Sequence, residues 1–548
     1  MNRNISGDPA RRRYLAGLAI LIAVFIAVNG YYFHRSQTPT FWDDSAYLSG
    51  SLELFDSLTQ NGVRGFVNTF GHLHPYLAPL ICALPTPLYL ALGRDHDPRF
   101  LIGAGLIILL SLYLFWMGEC LWSAREGLLA VAIVQTMPLI YGLSRQFIQD
   151  YGLTTLVVMW MYYLLCRPLN SAGTVVRMGI VLGLGMLMKI TFPLYVGVPT
   201  ALIAIAALRE RRDWRGALTV VRNFLFILLA GGIIASIWYL PNRRSIYSYA
   251  LSTGFGKLAE NYGSTNVFSP AVLFQYFVVL AICAFSCYYV LLAIGLLPWG
   301  VRALFRKVGM KTLHKFGLIC WLIVPLAVTS FGVNKDPRYV APILPAMALL
   351  LAYFIAFIFG RTRWFAAFAG ALMIVPTIAY ASASLPAFER LGDFTIGRWV
   401  IWSPHLAWYA SIPSSEGAWD QAKIVEMVCR DAQTAPDASR MLITLAHQYL
   451  NNANMGYIAS RLKCKAQIIG IPQDLKPGPQ LTEWLDGAKP AYVLAIPVVP
   501  QPELAPPFAN DGKNEVERIV SQPGSGFRLF YRGSLGFTGK EYLIYRRI

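Results

Sequence analysis

The chain has 548 residues, of which 56% are hydrophobic and only 14% are Asp, Glu, Lys or Arg. Soluble domains carry charges on about a quarter of their residues, so this composition excludes an ordinary soluble protein and indicates a membrane protein. The formal net charge of +18 does not indicate a nucleic-acid partner. The basic residues stand in short clusters between apolar runs, which is the pattern of cytoplasmic loops.

Apolar runs long enough to cross about 30 Å of hydrocarbon recur along the chain. The first follows Arg11–Arg13 and continues into Tyr31–Phe33 without a cleavage signal, so we expect an uncleaved helix with a cytoplasmic N-terminus. Basic residues concentrate at alternate loops, near 209–215, 302–315 and 361–363. We predict eleven spans, an odd number that puts the C-terminal tail outside, at 14–33, 99–119, 127–143, 151–166, 174–190, 191–208, 219–240, 270–299, 316–333, 339–359 and 364–382.

Two predicted outer segments are long. The first, 34–98, contains Asp43 and Asp44, an amphipathic stretch Ser45–Thr59, and a proline-interrupted apolar run after His74. We predict two helices lying along the membrane surface, because proline disfavours a regular spanning helix. The second, 241–269, is rich in Gly, Ser and Asn, and we predict a loop that covers a site.

The composition changes from about Ala383 onward. Short strands are predicted at 441–445, 466–469, 491–496 and 543–545, with helical stretches between them, which indicates a small α/β domain. The predicted organisation is a transmembrane catalytic module at 1–382 and a periplasmic accessory domain at 383–548. Cys429 and Cys464 are the two cysteines of the tail and form a disulfide candidate, although the sequence does not decide whether they are bridged.

Polar residues recur at the predicted outer ends of the spans. If the helices form a bundle, these ends converge on one outward-facing cavity. One carboxylate can accept the proton of an attacking hydroxyl, while cations stabilise the charge that grows on a departing phosphate. Ionisable residues in such places indicate function by default. The candidates are Asp43, Asp44, Arg145, Asp150, Lys189, Asp336 and Arg338.

Each candidate also has a structural alternative. Asp44 and Asp150 are suited to capping the helices that follow them. Lys189 can extend to the membrane interface, where the pair Arg338–Tyr339 can also act as an anchor. Arg243 and Arg244 suit either loop solvation or a phosphate clamp. His72 and His74 form only a weak metal motif.

Four motifs, taken together, resemble a known family. They are Phe41–Tyr47 with His74–Leu77, Ser144–Asp150, Gly183–Lys189 and Lys335–Pro342. In order and in predicted membrane face they are similar to the GT-C glycosyltransferases, in the branch that contains protein O-mannosyltransferases and the aminoarabinose transferase acting on lipid A. The resemblance covers roughly residues 10–380 and does not extend to the tail.

The resemblance implies a GT-C fold of about eleven transmembrane helices and a role for each matched residue. Asp44, or its neighbour Asp43, takes the catalytic acidic position. Asp150 takes the second acidic position, on the acceptor side or supporting a divalent metal ion, and metal dependence stays open. The cations expected at the donor phosphate are Lys189 and Arg338, with Arg243 and Arg244 beside them, and the further site candidates are Arg145, His74 and Tyr339.

The predicted function is therefore a membrane glycosyltransferase of the bacterial inner membrane. It would move a sugar from a polyprenyl-phosphate donor to a periplasmic glycolipid, lipopolysaccharide or protein hydroxyl, by direct displacement with inversion. The alternatives are a transporter or flippase of lipid-linked sugars and a non-catalytic subunit of envelope assembly. A transporter is expected to show two similar halves with broken helices near the membrane centre, and no internal repeat is visible.

Overall fold

The structure is a computed structural model. It describes residues 9–36, 39–209, 214–256, 259–260, 263–305, 312–360, 364–385, 387–388, 394–396, 399–402, 419–434, 440–447, 449–472, 475–497, 512–536 and 539–548. Much of the predicted basic inner loops, 210–213, 306–311 and 361–363, lies outside these residues. The chain forms two compact units. The helical unit comprises Met1–His34, Val63–Leu84 and Pro98–Pro413, and the α/β unit comprises Arg35–Gly62, Pro85–Asp97 and Ser414–Ile548.

Helices dominate the chain up to residue 382. The α-helices are α1 (Pro9–Arg35), α2 (Trp42–His72), α3 (Leu80–Ala83), α4 (Thr86–Leu92), α5 (Arg99–Leu121), α6 (Ala124–Gln135), α7 (Pro138–Leu143), α8 (Gln149–Cys166), α9 (Ala172–Met188), α10 (Phe192–Arg209), α11 (Trp214–Phe255), α12 (Pro270–Val279), α13 (Cys287–Phe305), α14 (Thr312–Phe331), α15 (Leu344–Phe359) and α16 (Phe365–Ser382). A π-helical segment (Leu280–Phe285) follows α12, and a 3₁₀ segment (Pro337–Ile343) precedes α15.

All eleven segments predicted to span the membrane are helical over most of their length. By length and apolar composition, seven helices of the described part are able to cross a membrane, or eight if the bent pair Pro270–Phe285 and Cys287–Ala303 counts as one span. The chain is therefore an integral membrane protein. Three predicted segments (127–143, 151–166 and 174–190) are helical but are not among those seven. The first is broken before Pro138, and the helix of the third has only 17 residues.

The helices depart from the predicted pattern in three places. The segment 127–143 is broken before Pro138, and the segment 270–299 bends by 105° around Ser286. The predicted loop from residue 241 is wrong as far as Phe255, because α11 continues through Pro241. Proline lacks the N–H that would bond the carbonyl four residues earlier. Asn242 Nδ2 stabilises this stretch by donating to Trp238 O (2.9 Å) and to Gly71 O (2.6 Å).

Helices α9 and α11 pack closely through small residues. A Cβ atom at Gly179 would lie 2.7 Å from Ala230 Cβ, and one at Gly183 would lie 2.5 Å from Ile234 Cβ. Both distances are too short for any side chain, so glycine is required at both positions. Small residues spaced by four are a common means of close helix packing in membranes. This contact fixes the end of α9, where Lys189 follows.

The described part of the C-terminal region contains seven strands and four helices. They are β1 (Phe394–Ile396), β2 (Trp399–Trp402), α17 (Gln421–Thr434), β3 (Arg440–Ile443), α18 (Asn452–Arg461), β4 (Gln467–Gly470), α19 (Pro479–Ala488), β5 (Tyr492–Ala495), α20 (Lys513–Ser521), β6 (Phe527–Ser534) and β7 (Glu541–Arg547). Strands β1 and β2 form an antiparallel pair in the helical unit. The other five form one sheet in the order β4-β3-β5-β7-β6, with β3 parallel to both β4 and β5.

The sheet is covered on both faces. Met441 and Ile443 of β3 pack in a buried cluster with residues of α17 and α18, such as Val428 and Met455. Leu442, between them, packs in a second cluster with Leu485 and other residues of α19 and α20. Alternation of side chains along a strand explains this division. The predicted strands and helices of the tail are confirmed, whereas β1, β2 and β6 were not predicted.

The α/β unit also includes parts of the first predicted outer segment, so the compact units do not divide at residue 382 as the sequence suggested. Arg94 explains part of this arrangement. Its guanidinium pairs with Asp56 of α2 (Nη2–Oδ2 2.7 Å) and donates to the carbonyl of Arg461 at the end of α18 (2.9 Å). Within α2, the chain passes from the α/β unit to the helical unit at Gly62. Gly62 is non-helical (φ 65°, ψ −164°), a conformation that only glycine adopts easily.

Candidate functional site

An ion pair joins the ends of two helices in the helical unit. Asp150 lies in the first turn of α8, and Lys189 directly follows the last residue of α9. Lys189 Nζ donates to Asp150 Oδ1 at 2.6 Å, and the two side chains are 18% and 4% exposed. Each charge has the sign that its helix end favours, an anion at an N-terminus and a cation at a C-terminus. Neither capping by Asp150 nor simple snorkelling by Lys189 describes this arrangement, because Ile148 is the N-cap of α8.

The ring of Tyr339 extends the site. Lys189 Nζ lies 5.1 Å from the centroid of this ring, within the range of a cation–π interaction. The carbonyl of Tyr339 accepts a hydrogen bond from Tyr195 Oη (2.8 Å), which fixes the 3₁₀ segment against α10. Tyr195 was not predicted as a site residue. Its sequence signal is weak, since a tyrosine in an apolar helix is more often only part of the core.

A second ion pair lies at the start of the same 3₁₀ segment. Asp336 caps it by accepting from the Arg338 backbone N–H (2.9 Å), and the Arg338 guanidinium returns to Asp336 Oδ2 through Nε (2.8 Å) and Nη2 (2.7 Å). Burial alone would raise the pKa of the Asp336 carboxyl, but the charge and donors of Arg338 and the charge of Lys189 hold that pKa below its ordinary value. The Asp336–Arg338 pair therefore lies within electrostatic reach of Lys189.

These groups form one cluster of two cations and two carboxylates on three segments of the helical unit. An ammonium group has three N–H donors, and the bond to Asp150 uses one of them. The carboxylates hold the cations in fixed positions, so that an anionic group can approach donors that are already oriented. We call Asp150, Lys189, Asp336, Arg338 and Tyr339 the paired-charge cluster. All five of its residues were candidates from the sequence, and all belong to the helical unit.

Lys335, next to this cluster, is a further cation. Its Nζ donates to the carbonyl of Ser330 and lies 5.0 Å from the centroid of the Tyr276 ring. Burial lowers the pKa of the Lys335 ammonium. A second segment of the chain packs against the residues before Lys335. Gly263 forms an isolated β-bridge with Asn334, and Ser264 N donates to Val333 O (3.2 Å). A Cβ at Gly263 would lie 1.8 Å from that same carbonyl, so a larger residue would separate the two segments.

The acidic pair Asp43–Asp44 belongs to the α/β unit. Both residues lie in the first turn of α2, which begins at Trp42, and Asp44 is only 3% exposed. Asp44 is the third helical residue, so it does not occupy the N-cap position that the structural alternative required. Next to it, Ser45 is fully buried and its hydroxyl lies 2.5 Å from that of Thr40. A nearly buried carboxylate in a first helical turn is stabilised by the helix dipole.

Arg145 is buried in the helical unit as a connector. Its guanidinium donates to Asn29 Oδ1 of α1 (3.3 Å), to Ala383 O after α16 (3.1 Å) and to the hydroxyl of Ser384. The guanidinium carbon also lies 4.8 Å from the ring centroid of Tyr32. The side chain is 3% exposed. These contacts favour a structural role for Arg145, in which it joins three segments, over a role in binding a substrate.

The remaining predicted site residues lie apart from the paired-charge cluster in sequence and contacts. Arg243 and Arg244 are exposed on α11, and Arg243 Nη1 donates to the carbonyl of Leu240 within the same helix (3.1 Å). His74 has a positive φ of 45° and follows Leu73, whose carbonyl accepts from Trp238 Nε1 (3.3 Å). His74 therefore marks the turn after α2 and the attachment of that turn to α11.

The described residues do not fit a divalent metal ion. Among them, no group of three or more His, Cys, Asp or Glu side chains has a metal-binding arrangement. The two carboxylates of the paired-charge cluster are each bonded to a cation. No step of the chemistry below passes through a metal.

Comparison with known proteins agrees with this fold. Residues 73–238 match the family model described as dolichyl-phosphate-mannose-protein mannosyltransferase. A relative from Erwinia tasmaniensis, the undecaprenyl phosphate-alpha-4-amino-4-deoxy-L-arabinose arabinosyl transferase, is 22% identical over 264 residues, covering 45% of this chain and 43% of the relative. The match thus spans less than half the length of that curated protein.

Two solved structures match more of the chain. ArnT from Cupriavidus metallidurans bound to undecaprenyl phosphate has a TM-score of 0.57 at 13% identity and covers 97% of this chain and 98% of its own. The archaeal oligosaccharyltransferase AglB from Archaeoglobus fulgidus, in complex with an inhibitory peptide and a dolichol-phosphate, has a TM-score of 0.52 at 12% identity, covering 88% and 69%. The chain has the GT-C fold of membrane glycosyltransferases. Within that class its likeness is to the aminoarabinose transferase type, as the four motifs predicted.

Proposed function

We propose that this chain is a glycosyltransferase that moves a sugar from a polyprenyl-phosphate donor to a periplasmic acceptor at the bacterial inner membrane. The paired-charge cluster, on a fold shared with ArnT, is the observation that carries the proposal. In this proposal the N-terminus is cytoplasmic and the α/β unit is periplasmic. The Cys429–Cys464 disulfide supports that orientation, because disulfides persist in oxidising compartments.

Lys189 and Arg338 bind the donor phosphate in this proposal. A polyprenyl phosphate leaves as a phosphate monoester, whose second pKa is about 6, so it needs cations more than a proton donor. Asp150 and Asp336 hold these cations in place. Two such pairs keep the cluster neutral until the phosphate arrives, and the charge that develops on the leaving phosphate is then met by donors that need no reorganisation.

Asp44 acts as the general base, with Asp43 as its neighbour. The acceptor oxygen forms a bond to the anomeric carbon as the bond to the phosphate oxygen breaks. The electron pair of that bond leaves with the polyprenyl phosphate, and the acceptor proton passes to the Asp44 carboxylate. A single displacement of this kind inverts the anomeric centre, unlike a mechanism that uses one carboxylate as a nucleophile.

Transfer of labelled sugar from polyprenyl-phosphate sugars to candidate acceptors tests the proposal. Asp44→Asn should abolish transfer and leave donor binding intact, and Lys189→Met should weaken donor binding. Asp95→Asn, an exposed acid in the same outer segment, is the control and should behave as the parent chain. Repeating the assay with a chelator decides metal dependence. Normal transfer by Asp44→Asn contradicts its assignment as the base.

The rival function is transport of a lipid-linked sugar across the membrane. Proteoliposomes that contain the purified chain and a labelled polyprenyl-phosphate sugar separate the two functions. Movement of the donor between leaflets without an acceptor, unaffected by Asp44→Asn, would support the rival. Two comparisons favour the transferase: AglB, which shares the fold, is an oligosaccharyltransferase, and the Erwinia tasmaniensis relative is an arabinosyl transferase.

A further inference from the structure

The α/β unit contains a cavity at one edge of its sheet. Its volume is about 230 Å³, and its walls come from Trp42, from Ile443–Ala446 at the end of β3, from Asn452 and from Gly470–Pro472 at the end of β4. Every one of these residues belongs to the α/β unit. Ligands of open α/β sheets bind at the carboxyl ends of parallel strands, and β3 and β4 are parallel. The paired-charge cluster contributes nothing to this cavity.

Trp42 is brought to this edge by its neighbours. The ring of Phe41 lies 6.4 Å from that of Tyr449, which follows β3, and Tyr449 packs at 5.4 Å against Trp419. Trp419 in turn stacks on His447 (5.2 Å). This aromatic group attaches the start of α2 to the loop between β3 and α18. These contacts hold Trp42 in place, so the first predicted outer segment supplies one wall of the cavity.

The wall chemistry suits a neutral sugar ring. Of the described residues that line the cavity, none is charged, so a phosphate or a carboxylate would find no counter-ion. The indole of Trp42 offers an apolar face for the C–H side of a sugar, and the amide of Asn452 offers both a donor and an acceptor for hydroxyl groups. Small-molecule pockets usually exceed about 300 Å³, and the smaller volume here suits one ring.

Gly470 keeps the cavity open. A Cβ atom at this position would lie 3.0 Å from the Cγ and Oδ1 atoms of Asn452. An alanine there would therefore occupy part of the cavity and displace the amide. The backbone conformation of Gly470 is not in the positive-φ region, so the alanine itself is not strained. This makes Gly470→Ala a variant that fills the cavity and leaves Trp42 in place.

We infer that this cavity binds a neutral sugar ring of a glycan acceptor, at a position next to the ring that reacts. The inference rests on the proposed function, because it assigns the acceptor class of that reaction. Asp44 follows Trp42 by two residues at the start of α2, about 200° around the helix axis, so a ring that packs on Trp42 does not contact the Asp44 carboxylate. The ring in the cavity is therefore a ring of the acceptor other than the one that reacts. Its role is to position the acceptor.

Saturation-transfer NMR on the full-length chain in detergent tests binding without activity. The probes are methyl glycosides of glucose, galactose and mannose, with a short serine- and threonine-containing peptide in parallel. We expect a saturation-transfer signal from at least one glycoside. The affinity for that glycoside should fall about tenfold in Trp42→Ala and in Gly470→Ala and be retained in Trp42→Phe. The control Phe530→Ala removes a partly buried aromatic side chain from the opposite edge of the sheet and should keep the signal.

The outcomes separate this inference from the proposed function. A signal that is retained in Asp44→Asn but lost in Gly470→Ala supports the cavity as the binding place. If sugar transfer fails in every assay while the signal behaves as expected, the proposed function is wrong and the sugar site stands. No signal with any glycoside, a signal that survives both Trp42→Ala and Gly470→Ala, or a signal only with the peptide overturns the inference. If Trp42→Ala does not fold, Gly470→Ala gives the decision.

Discussion

Lys189 Nζ lies 2.6 Å from Asp150 Oδ1, with the aspartate 4% exposed and the lysine 18% exposed. Removing one partner leaves the other charge nearly buried, which costs more than the pair contributes. We expect Asp150→Asn to lower the free energy of unfolding by roughly 2 to 3 kcal/mol, less than for a fully buried pair because water screens part of Lys189. Thermal unfolding in detergent measures this.

A double variant separates stability from function at the same pair. Asp150→Leu with Lys189→Met removes both charges together and should recover most of the lost stability. It should not recover sugar transfer, because the donor phosphate loses its lysine. If transfer returns along with stability, Lys189 is structural and the assignment to the phosphate is wrong. Arg13→Lys, an exposed basic residue on α1, controls for a general effect of altering a cation.

The sequence predicted much of the fold and only part of the site. Apolar runs locate helices well, since burial in a bilayer leaves few other backbone conformations. The Asp150–Lys189 contact was not predicted, because the two residues are 39 positions apart and no local pattern joins them. The continuation of α11 past Pro241 was missed for a similar reason: its stabilising partner, Gly71, lies far away in sequence. The burial of Arg145 was not predicted, since burial cannot be read from a motif.

The Asp336–Arg338 pair predicts a pH dependence of stability. The folded-state pKa of Asp336 is below its ordinary value, and the unfolded value is about 3.9. Its stabilising contribution is therefore complete above about pH 4 and is lost as the pH falls through the lowered folded-state pKa. The free energy of unfolding should differ between the parent chain and Asp336→Asn by a constant amount from pH 8 to about 4.5. The difference should shrink only below that pH. Convergence already near pH 6 would contradict the lowered pKa.

Arg145→Lys should destabilise the protein without a specific effect on the donor. A lysine cannot reach Asn29, Ala383 and Ser384 at once, because it lacks the planar fork that places three donors. The loss of two charged hydrogen bonds in a buried position costs about 3 kcal/mol. Donor affinity of the folded fraction, measured by titration with a polyprenyl phosphate, should stay unchanged. If Arg145→Lys lowers the affinity for the donor without lowering stability, Arg145 takes part in donor binding.

The disulfide between Cys429 and Cys464 predicts how the α/β unit responds to reduction. It joins α17 to the turn before β4, with a Cα–Cα distance of 5.4 Å across 35 residues of chain. A closed loop of this length stabilises the folded state by about 3 to 4 kcal/mol, mainly through the unfolded chain. We expect Cys429→Ala with Cys464→Ala, or treatment with a reductant, to lower the unfolding temperature of the α/β unit. The effect of the reductant should vanish in the double variant, while Cys120→Ala, which removes a free cysteine, should keep it. A parent chain that gives the same gel mobility with and without reductant, and the same unfolding temperature, would show that the bridge does not form.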